Sequence, residues 1–168
     1  MGAVIFVGYD ANPALAKLGR MRAGGQDLSP AMADISLVVL GQVDEAFDTE
    51  TAPDGTPWKP LKSREGHILR DTGFLEGSAF KDSGPDFAEV GEAAIYAAAH
   101  QFGTRPRVLK PVNAKALFWP GAKHPVKSVK HPGIPARPSV PDEQSLDWKQ
   151  IDAIVTQYLE GLANAASD

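Results

Sequence analysis

The 168-residue chain contains no cysteine and no apolar run long enough to cross a membrane. The missing thiols exclude disulfides, thiolate metal sites and cysteine nucleophiles. The apolar run Ala3–Val7 near the N-terminus is far shorter than the roughly 20 residues of a membrane span, and no positive charge precedes it as in a signal peptide. We therefore expect no membrane partner and synthesis in a reducing cytoplasm.

The chain also lacks the short signatures that mark common active sites. It has no Gly-x-Ser-x-Gly sequence and no Ser-x-x-Lys accompanied by its partner motifs, and the segment Gly73–Ser78 has no phosphate-binding lysine. His124 and His131 are seven residues apart in a loop with no acid nearby, which is a poor spacing for a metal site. We expect no enzyme, no metal and no cofactor, and a hydrolase that uses these two histidines is the remaining catalytic alternative.

Acidic side chains are absent from Ala93 to Pro141, although the whole chain carries a net charge of −4. This stretch holds eight basic residues, namely Arg105, Arg107, Lys110, Lys115, Lys123, Lys127, Lys130 and Arg137. The rest of the chain has nine Lys/Arg against 21 Asp/Glu, so the charge is segregated along the sequence. The basic stretch either balances the acidic remainder of its own fold, or it meets the acidic face of a neighbouring subunit, or it meets DNA.

Apolar periodicity predicts two long amphipathic helices. The first follows a cap at Asp27 or Ser29 and carries an apolar stripe to Phe47, and the second runs from about Asp142 to Ala163. A shorter helix is expected from Pro13, and an alanine-rich one over Glu92–Gln101, stopped by Gly103. In the alanine-rich helix, the residues expected to face the core are Ile95, Tyr96, Ala99 and Phe102.

Strands are expected at Ala3–Val7 and on both sides of the turn Ser83-Gly84-Pro85. Val112–Pro120 and Val126–Val129 are expected to pair as a long hairpin, with its turn at Pro120-Gly121-Ala122. Phe118 and Trp119 are adjacent in the first of these strands, so they would point to opposite faces and one of them would be in the core. This arrangement argues against the interleaved aromatics of a single-strand binder.

Two prolines, Pro57 and Pro60, flank Trp58 in a segment that also contains the turn Pro53-Asp54-Gly55. The prolines fix the backbone and so present the indole in one direction. Trp58 either fills the core beneath the first long helix or anchors a partner subunit, because tryptophan is enriched among interface hot spots.

Four segments, Pro53–Leu61, Ile68–Ser78, Tyr96–Thr104 and Gly133–Val140, resemble, in this order and spacing, the phage virion morphogenesis family of Mu-like tail completion proteins. The resemblance extends from about Phe47 to Tyr158. The matching positions are Trp58, Thr72, Gly73, Leu75, Tyr96, His100, Gln101, Gly103 and Pro135 to Pro138. Ser139 stands where relatives have an aromatic residue.

The resemblance implies an α+β fold, in which long amphipathic helices pack on a small, mainly antiparallel sheet and an extended hairpin or loop forms an arm. We expect one domain over residues 1–168 with a basic arm at about 104–141. The interface candidates are Trp58, Arg105, Arg107, Lys123, Lys127, Lys130, Arg137 and Trp119.

The family implies a structural role in completing the tail or the head–tail junction, in the virion and beforehand in the host cytoplasm. The expected partners are further copies of the chain in a ring, six by analogy with tail symmetry, and other neck, portal-side or tail tube proteins. A tail terminator or stopper ring of the neck is the alternative within this class. A DNA-contacting module that uses residues 105–137 on channel DNA is the alternative from another class.

Overall fold

The computed structural model describes residues 18–19, 22–62, 65–119 and 122–164. The chain forms two compact units. Unit 1 is built from the described parts of residues 1–40, 81–90 and 147–168, and unit 2 from those of residues 41–80 and 91–146. Helices and two small two-stranded sheets give the expected α+β fold. The single domain over residues 1–168 stays a prediction.

The first long helix, α1, spans Ser29–Thr49 and confirms the prediction from periodicity. Asp27 Oδ1 accepts a hydrogen bond from the Ser29 amide at 3.0 Å, which satisfies a backbone donor at the start of the helix. The helix contributes Ala31 and Ile35 to the core of unit 1. Its last turns contribute Val43, Ala46 and Phe47 to the core of unit 2.

The last helix, α3, spans Trp148–Asn164 in unit 1. It begins six residues later than predicted, because the preceding Asp142 and Ser145 form their own turn, in which Asp142 Oδ1 accepts from the Ser145 amide at 3.0 Å. Within unit 1, the Tyr158 hydroxyl donates to the Asp27 carbonyl at 2.7 Å, so α3 is fastened to the segment that precedes α1.

The first sheet is the hairpin of β1, Ala79–Ser83, and β2, Ala88–Glu92, joined through the predicted turn, in which the Gly84 amide donates to the Phe87 carbonyl at 2.9 Å. The second sheet pairs β3, Arg107–Leu109, with β4, Val129–His131, in antiparallel register.

The predicted pairing of Val112–Pro120 with Val126–Val129 is wrong in extent. Only Leu117 and Val126 form a bridge, and the ladder lies further down the chain, with Leu109 opposite Val129. Phe118 and Trp119 are both exposed, at 67% and 44%, so the expectation that one of them is in the core is also wrong. Among the described residues this segment forms one bridge and no strand, so the alternation that would bury one of the two aromatics does not apply.

The alanine-rich helix, α2, spans only Ala97–Gln101. Gly103 has a φ of 70° and ends the helix as predicted. The predicted inward face is wrong, because Ile95 is 99% exposed and Phe102 is 79% exposed, whereas Ala97 is buried. The helix begins at Ala97 and not at Glu92, so Ile95 lies before it and Phe102 after it.

Three sequence predictions fall outside the described residues in whole or in large part. They are the strand Ala3–Val7, the helix from Pro13 and the turn Pro120-Gly121-Ala122.

Candidate functional site

The four segments that carry the family resemblance all lie in unit 2, and we call them together the motif core. Trp58 lies in its interior, 6% exposed, with its ring edge-on to Phe47 of α1 at a centroid distance of 5.6 Å. Its indole Nε1 donates to the Pro138 carbonyl at 2.8 Å. This hydrogen bond joins the first and fourth segments. The sequence left open whether Trp58 fills the core or anchors a partner, and the structure shows the side chain in the core.

Arg137 of the fourth segment also bonds to the first segment. Although charged, it is 7% exposed. Its Nε donates to the Lys59 carbonyl at 2.8 Å and its Nη2 to the Pro60 carbonyl at 3.2 Å. The planar guanidinium suits two neighbouring carbonyls better than an ammonium would. Trp58 and Arg137 therefore hold the unit together internally, and their contact with a partner stays a prediction.

Gln101 connects the third segment to the fourth with three hydrogen bonds. Its Nε2 donates to the Val140 carbonyl at 2.7 Å, and its Oε1 accepts from the amides of Ser139 at 3.0 Å and Val140 at 3.2 Å. One side-chain amide thus satisfies three backbone groups of an irregular segment. A net contribution of about 1 kcal/mol per bond makes this a substantial anchor.

Two glycines allow the third and fourth segments to pass at backbone contact. Thr104 and Ile134 form an antiparallel bridge there. A Cβ on Gly103 would lie 2.8 Å from the Ile134 carbonyl oxygen, and a Cβ on Gly133 would overlap the Thr104 carbonyl oxygen. Both glycines have positive φ, 70° and 90°, a conformation that glycine adopts without steric cost.

The second segment meets the third around a cavity of about 500 Å³. Leu75, Tyr96, His100 and Arg137 are among its lining residues. The His100 Nδ1 is buried and has no hydrogen-bond partner among the described residues. Burial lowers the pKa of His100 below its ordinary 6.5, and the positive charge of Arg137 lowers it further. Both effects favour the neutral form of this imidazole.

Ser139 is 2% exposed and donates through its hydroxyl to Glu92 Oε1 at 2.7 Å. Burial raises the pKa of the Glu92 carboxyl above its ordinary 4.5, and the Ser139 bond offsets part of that rise. The sequence interpretation missed Glu92. Its one signal is its place as the last acid before the acid-free stretch.

The other six interface candidates lie between Arg105 and Lys130. Arg105 and Arg107 are exposed near and on β3, and Lys130 is exposed on β4 opposite Val108. Lys123, Lys127 and Trp119 are exposed farther out, between the two strands. The structure thus divides the interface candidates into two groups. Trp58 and Arg137 are buried in the motif core, and the other six are exposed.

We call residues 110–128, between β3 and β4, the outer arm. None of its described residues is buried. Its lysines at 110, 115, 123 and 127 are all exposed, as are Val112, Phe118 and Trp119. An exposed surface that combines large apolar side chains with a single sign of charge is typical of a contact site for another macromolecule.

Within the described ranges, no three His, Asp or Glu side chains gather in a way that would hold a metal ion. The same part of the chain contains no helix with the length and apolar character needed to cross a bilayer.

Unit 2 thus combines a hydrogen-bonded motif core with an exposed cationic outer arm, an arrangement typical of proteins that bind other macromolecules. A sequence model of the phage virion morphogenesis family matches residues 9–160, so the chain belongs to that family. It has a structural role in phage assembly. The chain is also 26% identical over 132 residues to the "Putative capsid assembly protein G" of Escherichia phage Mu, covering 71% of this chain and 72% of that protein. No solved structure matches the chain.

Proposed function

We propose that this protein completes the tail or the head–tail junction of a phage as a homo-oligomeric ring, in which the outer arm of one subunit contacts the next. Family membership supports the role in virion assembly. The name of the Mu relative refers to capsid assembly and so supports a role in building the virion. The observation that carries the proposal is the outer arm, which has exposed lysines and aromatics and no buried residue among those described.

The composition of the outer arm suits a protein partner. Ordering an extended segment costs conformational entropy, and within its own unit the arm buries too little apolar surface to offset that cost. Contact with another subunit would bury Phe118 and Trp119, and aromatic residues are enriched at the centres of interfaces. Identical subunits joined by two different patches form a ring when the rotation closes.

The structure suggests a deletion that removes the arm and spares the body. Leu109 and Val129 are directly paired, so an Asn-Gly turn can replace residues 110–128 between them. We expect the shortened protein to fold, to sediment as a monomer where the full chain forms a ring, and to fail to complete virions. A ring of unchanged size in the shortened protein would contradict the proposal. A triple variant that keeps residues 110–128 separates the effect of charge from that of length. It carries Lys123→Gln, Lys127→Gln and Lys130→Gln.

Limited proteolysis provides a second test on the unmodified chain. We expect residues 108–132 to be cut rapidly in the free monomer, because they contain the outer arm and exposed irregular segments are preferred cleavage sites. The same residues should be protected in the assembled particle. Cleavage at equal rates in both states would argue against an arm that is covered on assembly.

The position in the virion separates tail completion from the alternative roles of a terminator or a neck stopper. Electron micrographs of particles produced without this protein distinguish them. Complete tails beside heads that have lost their DNA indicate a stopper, and tails of uncontrolled length indicate a terminator. Finished tails beside filled heads that have not joined support completion of the junction.

DNA contact is the second candidate function, and the structure adds one observation in its favour. Phe118 and Trp119 are both exposed beside lysines, which is the combination that stacks on bases and neutralises phosphates. Each phosphate contact lowers the logarithm of the binding constant by about one per tenfold rise in salt. A gel shift at several salt concentrations, with the triple Lys→Gln variant as control, tests it. Binding that is independent of salt, or unchanged in that variant, would exclude contact through the arm.

A further inference from the structure

An apolar pocket of about 340 Å³ opens on the surface of unit 2 beside α2. Ala98, Phe102, Val140 and Pro141 contribute its apolar walls. Phe102 is 79% exposed, so the pocket is open to solvent. Its volume is at the lower end of the roughly 300–1,000 Å³ of ligand pockets and is sufficient for a large aromatic side chain.

Two carboxylates, from Glu92 and Asp142, stand among these apolar walls. Among the described residues, Glu92 has a hydrogen bond from Ser139 but no salt bridge. Its burial disfavours the charged form, as the raised pKa of this carboxyl shows. Hydrogen bonds from Ser145 lower the pKa of the Asp142 carboxyl and so keep it ionised. A cation brought by a binding partner would compensate the desolvated charge of Glu92.

The chemistry of the pocket therefore calls for a large apolar side chain with a lysine or arginine close by and no acid. Several exposed aromatics of this chain fail that criterion, because an Asp or Glu lies within three residues of each: Phe74, Phe80, Phe87 and Trp148. Phe118 and Trp119 meet it. They lie between Lys115 and Lys123, in the stretch of the chain that has no acidic residue.

The pocket and the Phe118–Trp119 pair are both exposed in the same chain, so a subunit does not fill its own pocket. We infer that the pocket beside α2 receives Phe118 or Trp119 of a second copy of this chain, with Lys115 or Lys123 of that copy paired with Glu92. The contact joins two different patches and therefore runs head to tail, as ring closure requires. This inference rests on the proposed function and specifies the surface through which the ring closes.

Disulfide trapping tests the inference directly, because the chain has no cysteine of its own. Ala98→Cys places a thiol at the pocket and Ala116→Cys places one on the arm, two residues before Phe118. A disulfide requires Cα atoms roughly 4.4–6.8 Å apart. We expect a mixture of the two variants to give a cross-linked dimer on mild oxidation, and the double variant to give a ladder of covalent multimers. A mixture of Asp44→Cys, at an exposed site on α1, with Ala116→Cys is the control and should give no dimer.

The outcomes separate this inference from the proposed function. If the protein sediments as a ring but the Ala98–Ala116 pair does not cross-link, the ring exists and the pocket is not the acceptor. If the double variant gives only an internally bridged monomer, the arm belongs to its own subunit and the inference is wrong. If the chain remains a monomer at assembly concentrations, the ring and the pocket fail together.

A pair of alanine substitutions provides the energetic test. Phe102 and Ile95 are both highly exposed in the monomer, and only Phe102 lines the pocket. We expect Phe102→Ala to weaken subunit association about tenfold or more, as for a central interface residue. Ile95→Ala should leave association unchanged, and both variants should fold as the parent does. Equal effects of the two substitutions, or no effect of Phe102→Ala, would contradict the inference.

Discussion

The motif core and the outer arm have the same kinds of residue and use them in opposite ways. Trp58 and Arg137 are buried and tied to backbone carbonyls in the motif core, whereas Trp119 and the outer-arm lysines are exposed. The buried, hydrogen-bonded tryptophan and arginine tie together the segments of unit 2. The exposed tryptophan and lysines contribute little to the stability of the monomer, and they can stabilise a complex when a partner contacts them. Substitutions in the motif core should therefore lower the free energy of unfolding, and matched substitutions in the outer arm should weaken assembly.

The largest contrast is expected between the two tryptophans. Trp58→Ala removes the contact with Phe47 and the hydrogen bond to Pro138, and should lower the free energy of unfolding by about 3–5 kcal/mol. Trp119→Ala should change it by less than about 0.5 kcal/mol while it weakens assembly. Urea unfolding and sedimentation of both variants test this. A large loss of stability from Trp119→Ala would mean that the arm belongs to the core of its own subunit.

Glycines provide the next contrast, within unit 2. Gly133→Ala places a Cβ against the Thr104 carbonyl at a φ of 90°, and should lower the free energy of unfolding by about 3 kcal/mol. Gly77 has open space around its Cβ position and a φ that other residues adopt. Gly77→Ala should therefore be nearly neutral. The two unfolding midpoints, measured side by side, test whether the crossing of the third and fourth segments is as close as the structure shows.

The sequence predicted the parts of the fold that have a local pattern. The buried apolar residues of α1, from Ala31 to Phe47, fall on one side of the helix, which the periodicity records. Gly103 ends a helix with a positive φ, and Gly84 lies in the turn between β1 and β2. The strands β3 and β4 are three residues long, which is too short for an alternating pattern to identify them from sequence.

The sequence predicted less of the candidate site than of the fold. Burial was expected of Ile95, Phe102 and of either Phe118 or Trp119 because apolar side chains usually avoid water, and that rule does not distinguish a core from an interface. Arg137 is the opposite case, a charged side chain that is buried. Its burial depends on carbonyls 77 and 78 residues away in the chain, which no local pattern records.

A smaller contrast is expected between two arginines. Arg137→Lys keeps the charge but loses the forked geometry toward Lys59 and Pro60, and should cost about 1–3 kcal/mol of stability. Arg105→Lys, on the exposed arm, should stay within about 0.5 kcal/mol. Thermal unfolding of both variants measures the difference. Equal stabilities would show that the buried guanidinium has no structural advantage over an ammonium.

The smallest expected effect is a dependence of stability on pH that arises in the motif core. The pKa of His100 is lowered in the folded state, so between that value and 6.5 the unfolded chain binds more protons, and stability falls as the pH drops below 6.5. The raised pKa of Glu92 acts in the opposite direction, because above 4.5 the folded state holds more protons and loses stability as the pH rises. The two contributions partly cancel in the wild-type profile. His100→Gln should remove the first alone, so the variant should lose less stability than the wild type on acidification from pH 7 to 5. Parallel profiles of the two proteins in urea titrations would show that the protonation of His100 is not coupled to folding.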